Sequence, residues 1–245
     1  MSAPAAPRII DLGVLRYDDA YALQLHHMEE VLAARLSGNP DPGRLLFVEH
    51  PHVITVTRRP EAHAHVLAPP GHLSQLGVEL CPTDRGGDVT YHGPGQIVVY
   101  PILDIDSRRL RIGDYLRLLE QAVIDTCTAF SLPTMRDPAA TGVWTIGPDG
   151  SPGAKLCAIG VRVKRWITLH GLAVNVEPDL EMFRLIVPCG LAGRPVTSLR
   201  HELGTASPPV AAVRQELAKR LREHLRTASP AQTAEHQEPS PMDRG

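Results

Sequence analysis

Apolar and polar positions along this chain follow two periods, one helical and one extended. From Asp18 to Gly38 the period is helical: Ala22, Leu25, Met28, Leu32 and Leu36 recur on one face, Asp18 or Asp19 can cap, and Gly38 supplies the stop. After a turn over Asn39 to Gly43, Arg44 to His50 reads as a strand, and Val53 to Thr57 as a second whose alternation predicts one wet face. Pro60, Pro69, Pro70 and Gly71 interrupt any period between Arg58 and Gly77, which reads as loop. A short strand, Val78 to Cys81, leads into a Gly-rich run and then into Ile97 to Tyr100, a buried strand that Pro101 to Ile105 extends to the sheet edge. Leu116, Leu119, Val123 and Cys127 mark a second helix, opened by Gly113 and Asp114 and ended near Phe130 before Pro133.

Extended patterns resume after Ala140. Gly142 to Ile146 and Lys155 to Val163 flank a turn of Gly, Pro, Asp and Ser, which predicts a hairpin, and Trp166 to Val176 adds a third strand. Asp179 to Ile186 reads as a short helix or turn. Val210, Val213, Leu217, Leu221 and Leu225 line one face of a last helix over Pro209 to Arg226, expected to pack as a lid on a single domain spanning 8–226. The tail from Thr227 to Gly245, rich in Pro, Ser, Gln and Glu, predicts disorder.

Composition narrows the function classes. The 245 residues are 43% hydrophobic, enough for a substantial core. A net charge of -2 and 4% aromatic residues argue against a nucleic-acid partner. No stretch approaches the roughly 20 apolar residues that cross a bilayer, so no membrane partner is expected. Met1 to Pro7 lack the basic-then-apolar order of a signal peptide, so a cytoplasmic location is expected. Cys81, Cys127, Cys157 and Cys189 form no C-x-x-C pair, which fits neither a disulfide scaffold nor structural zinc. Adjacent His26 and His27 point in two directions, and His63 and His65 lack acidic or cysteine partners at ligand spacing, so no metal is expected.

The chemistry concentrates in Arg85-Gly86-Gly87-Asp88-Val89-Thr90-Tyr91-His92-Gly93-Pro94-Gly95-Gln96. Four glycines let backbone groups approach a ligand, while Arg85, Thr90, Tyr91 and His92 supply hydrogen-bonding tips. Two candidate nucleophiles lie further on. Cys189, between Pro188 and Gly190, sits on a constrained backbone whose following N–H groups could hold an oxyanion. Cys157 alternates with Lys155 on a strand, so both should share a face. Lys155 interrupts an apolar strand and could hold a thiolate or act as a base.

These motifs, with Gly142-Val143-Trp144, Ala158-Ile159-Gly160, His170-Gly171-Leu172-Ala173 with Asn175, and Pro188-Cys189-Gly190, closely resemble those of the lipoyl(octanoyl) transferases, over about Ile9 to Leu203. The resemblance implies an α/β fold of the α+β type, with mixed, largely antiparallel sheets flanked by helices, as in biotin and lipoate protein ligases. It implies an acyltransferase without a cofactor. An octanoyl group would leave octanoyl-acyl carrier protein, rest on a cysteine, and pass to a lysine of apo lipoyl domains, those of 2-oxoacid dehydrogenase E2 subunits and of the glycine cleavage H protein. Residue by residue, the acyl-accepting cysteine falls on Cys189 and the catalytic lysine on Lys155. The substrate-binding segments fall on Arg85, Gly86, Gly87, Asp88, Val89, Thr90, Tyr91 and His92, on Ala158, Ile159 and Gly160, and on Gly171, Leu172 and Ala173. Cys157 departs from the pattern, where a small residue without a thiol is more usual. Alternatives are an ATP-dependent lipoate ligase of the same fold, a non-catalytic acyl-binding module and a cysteine hydrolase. The sequence Gly-x4-Gly-Lys-[Ser/Thr] of a phosphate-binding loop is absent. Arg58, Arg59, Arg108, Arg109, Arg111, Arg162, Lys164 and Arg165 could dock an acidic carrier protein.

Overall fold

A computed structural model describes residues 5–39, 41–187 and 194–227. Along the chain come β1 (Arg8–Val14), α1 (Tyr17–Leu36), β2 (Arg44–Glu49), β3 (Val53–Thr57), α2 (Pro70–Gln75), β4 (Glu79–Thr83), β5 (Val89–His92) and β6 (Gln96–Ile102). They are followed by α3 (Ile112–Ala129), β7 (Thr134–Asp137), β8 (Ala140–Ile146), β9 (Pro152–Lys164), β10 (Ile167–Asn175), α4 (Leu199–Leu203) and α5 (Val210–Thr227). Seven strands form one sheet in the order β1-β2-β6-β10-β9-β8-β7, antiparallel except for β1 beside β2. A three-stranded sheet, β4-β3-β5, pairs β3 parallel with β4 and antiparallel with β5. The expected mixed, largely antiparallel α/β class is what the chain adopts.

The central strands are apolar at successive positions because both faces of the large sheet are covered. Leu45, Phe47, Ile97, Val99 and Val174 pack against Leu119, Val123 and Cys127 of α3 and Leu217 and Leu221 of α5. Leu46, Val48, Val98, Tyr100 and Ala173 face the other way, against Tyr17, Ala20, Met28 and Val31 of α1, where Val53 of the small sheet joins them.

Several expectations are corrected. All of β3 is buried, so it has no wet face. β6 lies inside the sheet, between β2 and β10, not at an edge. The stretch 58–77 contains α2, opened by Pro70, and a 3-10 turn over Ala62–His65. α1 has Arg16 at its N-cap with no side-chain capping bond; Asp18 and Asp19 lie in its first turn, where they complement the helix dipole. Its buried stripe is Tyr17, Ala20, Gln24, Met28, Val31 and Leu32, whereas Leu36 is 77% exposed. β1, β7 and α4 had no counterpart in the periodicity. α5 packs on α3, on the face of the large sheet turned away from α1.

Candidate active site

The Gly-rich run joins the two sheets: β5 ends in the small one and β6 begins in the large one. Before β5, the Gly86 N–H donates to the Val161 carbonyl at 2.9 Å. A Cβ on Gly160 would lie 2.7 Å from the Gly86 carbonyl oxygen, so this loop rests on β9 only because a glycine faces it. The Arg85 guanidinium then reaches Thr55 Oγ1 at 3.0 Å and the Asp88 carbonyl at 3.1 Å, pinning the loop to β3.

Between the sheets lies a cleft of about 450 Å³, counted with its open mouth. Its walls are Arg85, Gly86, Gly87, Thr90 and His92 from the run, Val98 and Tyr100 of β6, Ala158 to Gly160 of β9, His170 to Ala173 of β10, and Tyr17 of α1. All three predicted substrate segments therefore converge, although Asp88, Val89 and Tyr91 do not line it. Val89 is in the core beneath the small sheet, and the Asp88 carboxylate pairs with His65.

One end of this cleft is ringed by hydrogen-bonded rings. His50 donates from Nδ1 to the Leu15 carbonyl at 2.7 Å, which leaves Nε2 to accept the Tyr100 hydroxyl at 2.8 Å. His92 stacks on Tyr17 with centroids 6.4 Å apart. His170 directs Nε2 to Asp84 at 2.9 Å, and Arg162 and Tyr21 bind the same carboxylate. Burial pushes the histidines down, His50 to about 4 and His92 to about 3. For His170 burial is joined by the charges of Arg85 and Arg162, again to about 3. All three are neutral at pH 7, which suits shaping the cleft, His92 and His170 as walls and His50 behind Tyr100, better than acid–base chemistry.

A second cleft of about 300 Å³ shares Thr90, Ala158 and Ala173 with the first and is also lined by Lys155, Tyr91, Gln96, Asn175, Phe183 and Val196. Here strand alternation misleads. Val143 pairs with Cys157 but Trp144 pairs with Lys155, so at this step β9 carries one extra residue opposite β8. This bulge turns Lys155 toward the cleft while Leu156 and Cys157 both enter the apolar core under α3. Lys155 and Cys157 therefore do not share a face. Lys155 is 7% exposed, with Nζ 3.4 Å from the Thr141 carbonyl and 4.6 Å from the Trp144 ring centroid. Burial pushes the thiol of Cys157 far up, and those of Cys81 and Cys127 up to about 12.

Cys189 lies outside the described residues, as does 228–245 of the expected tail. The residues beside it are held: the Val187 N–H donates to the His65 carbonyl at 2.8 Å, and Arg194 lies 3.7 Å over the Trp144 ring and pairs with Asp137. The backbone of Lys155 bonds Pro195 and Thr197 at 2.8 and 3.0 Å. A relay then runs back to the Gly-rich run. His92 donates to Gln96 Oε1 at 3.1 Å, Gln96 to Asn175 at 3.0 Å, and Asn175 to the Thr197 carbonyl at 2.9 Å.

Sequence reasoning did not single out Tyr17, Gln24 or Tyr100. Gln24 accepts the His170 N–H at 2.7 Å, and the two polar-tipped residues of α1 hide inside its apolar stripe. Of the arginines considered for docking, Arg108 is buried and donates to the carbonyls of Leu225 and Pro42, while Arg111 and Arg162 pair with Asp114 and Asp84. His26 and His27, expected to diverge, converge on Glu30, whose carboxylate also binds Arg44.

Comparison with known proteins follows the same lines. Residues 21–222 match the lipoyl protein ligase A/B catalytic domain. An octanoyltransferase of Bacteroides fragilis is 41% identical, over 86% of this chain and 94% of its own. One from Koribacter versatilis is 49% identical, over 80% and 76%. Among solved structures, the bi-partite lipoate protein ligase of Thermoplasma acidophilum superposes with a TM-score of 0.68 at 18% identity, covering 90% of this chain and 84% of that one, a likeness of fold. With its fold, its motifs and these sequence relatives in agreement, this chain belongs to the lipoyl protein ligase A/B catalytic-domain family, among the octanoyltransferases.

Proposed function

We propose that the chain transfers an octanoyl group from acyl carrier protein to the lysine of an apo lipoyl domain through a thioester on Cys189, with Lys155 as the second catalytic residue. It is an acyltransferase of lipoate biosynthesis and protein lipoylation. The observation that carries the mechanism is the junction of the two clefts at Thr90, Ala158 and Ala173, where an apolar slot meets Lys155. The glycine and aliphatic walls suit an unbranched acyl chain, and a lysine lining the adjoining cleft supports a reacting carbonyl at the end of that chain.

In the first step the Cys189 thiolate attacks the thioester carbonyl, the carrier's thiol leaves, and a new thioester forms. One thioester replaces another, so the step needs no ATP. In the second step the acceptor amine attacks the Cys189 thioester, gives up a proton, and expels the thiolate as the amide forms. The Lys155 ammonium supports the Cys189 thiolate and gives its proton to the departing carrier thiolate; the neutral amine it becomes then takes the proton that the incoming amine gives up. Elevated pKa values at Cys81, Cys127 and Cys157 favour Cys189 as the nucleophile. Cytoplasmic carrier and acceptor proteins fit a chain in which no described helix is long and apolar enough to cross a membrane.

Incubation with octanoyl-acyl carrier protein in the absence of ATP, followed by peptide mass spectrometry, tests the reading. An octanoyl adduct on Cys189 that is lost when an apo lipoyl domain is added, with the mass reappearing on that domain's lysine, is the expected result. No adduct with a reduced thiol and an active donor would overturn the covalent route and favour an ATP-dependent ligase.

A further inference from the structure

We infer that Glu120, on the opposite face of the large sheet from the clefts, is a positioning residue that holds Lys155 through a single peptide plane. The inference deepens the proposed role of Lys155 and rests on it. Glu120 is fully buried on α3, where an ionised carboxylate is costly unless its oxygens are bonded. Its Oε2 accepts from Arg117 at 2.7 Å and from Arg136 at 3.2 Å. Those two bonds would satisfy an ordinary surface-linking pair. Its Oε1, however, reaches into the sheet and accepts the Gly142 N–H at 3.1 Å.

The other end of that peptide is the Thr141 carbonyl, which accepts Lys155 Nζ at 3.4 Å. A trans peptide points its N–H and its C=O in opposite directions, so the carboxylate and the ammonium stand at its two ends. The peptide dipole, of about 3.5 D, is oriented favourably for both charges. Each bond also polarises the amide in the sense that strengthens the other. Gly142 has φ +135°, and a Cβ there would lie 2.5 Å from the Cys157 carbonyl oxygen, so a side chain is excluded where this peptide turns. Glu120 thereby fixes the carbonyl that fixes the ammonium, and Trp144 closes on Lys155 from the other β8 position.

Octanoyl transfer by the full chain, with kcat, KM and melting temperature measured together, tests this with four variants. In Glu120→Gln the amide oxygen turns to the two arginines and its NH2 meets the Gly142 N–H, donor against donor. Glu120→Asp keeps the charge but withdraws the carboxylate. Both are expected to lower kcat about tenfold with KM unchanged, and the aspartate variant decides should the glutamine variant not fold. Arg136→Ala cuts a bond on the other carboxylate oxygen and is expected to lower the melting temperature while kcat stays within about twofold of the parent. Wild-type kcat in the folded Glu120→Asp protein, or an equal loss in Arg136→Ala, would overturn the inference while leaving Lys155 in its role. Wild-type kcat in Lys155→Ala would overturn the role of Lys155 and this inference together.

Discussion

The two faces of the large sheet are built from the same strands by opposite rules. Toward α3 and α5 the packing is aliphatic, with Leu119, Val123, Leu217 and Leu221 on Phe47, Val99 and Val174. Toward α1 and the small sheet, Tyr17, His50, His92, Tyr100 and His170 are equally inaccessible but are tied by directional bonds around an open cleft. The first face stabilises by area and tolerates small shifts. The second holds its polar rings in place by directional bonds, which leaves room for a ligand without collapse. Adjacent residues of β9 divide between the two: Lys155 belongs to the cleft, and Leu156 and Cys157 to the core.

Truncation on each side gives the largest contrast. Leu217→Ala removes a fully buried side chain from the aliphatic face and is expected to cost about 2–5 kcal/mol in chemical denaturation, with activity per folded molecule preserved. Lys155→Ala is expected to lower octanoyl transfer by about 10²–10⁴-fold, with a far smaller change in stability. Similar stability losses with similar activity losses in the two variants would erase the distinction between the faces.

Acid separates them next. His50 and His92 bond only neutral partners, and their pKa values in the fold, about 4 and about 3, lie below the roughly 6.5 of an unfolded histidine. Between those limits the unfolded chain takes up protons that the folded one refuses, so stability is full above about pH 6.5 and falls as pH drops toward 4. Each histidine contributes a slope of up to about 1.4 kcal/mol per pH unit. Denaturation midpoints at pH 7.5, 6.5 and 5.5 measure this, and His50→Gln should flatten the profile. An unchanged profile in that variant would show that His50 takes no part.

The aliphatic face was the legible one. Leu119, Val123 and Cys127, and Val213, Leu217 and Leu221, recur at helical spacing because nothing but burial selects them. The α1 stripe was misplaced because two of its inward positions, Tyr17 and Gln24, are polar at the tip, and a hydrophobic period passes over them. The Gly-rich run announced itself through residue types that a mere turn does not require, and its partners on β9 and β10 came from motif resemblance, since strands far apart in sequence meet there through the topology. β1 lies beside β2 by a parallel register that no local turn encodes, and its exposed, mixed pattern gave no period. The bulge at β9 was invisible for a related reason: alternation is a property of regular pairing, and the extra residue appears only against β8.

That bulge makes the smallest and sharpest prediction. If strict alternation held, Cys157 would stand beside Lys155, its thiol would face the cleft, and the lysine's charge would favour a thiolate. The β9 register instead places it opposite Val143 and Val174 under α3, fully buried, with a thiol held protonated. Cys157→Ala should therefore leave octanoyl transfer within about twofold of the parent and cost only about 1 kcal/mol of stability, the usual scale for a single core substitution. A thiol reagent added to the native protein should leave Cys157 unmodified until denaturant unfolds the sheet. A loss of activity beyond tenfold in folded Cys157→Ala, or rapid native labelling at that position, would mean that β9 runs without its bulge and that the two faces exchange residues where Lys155 is set.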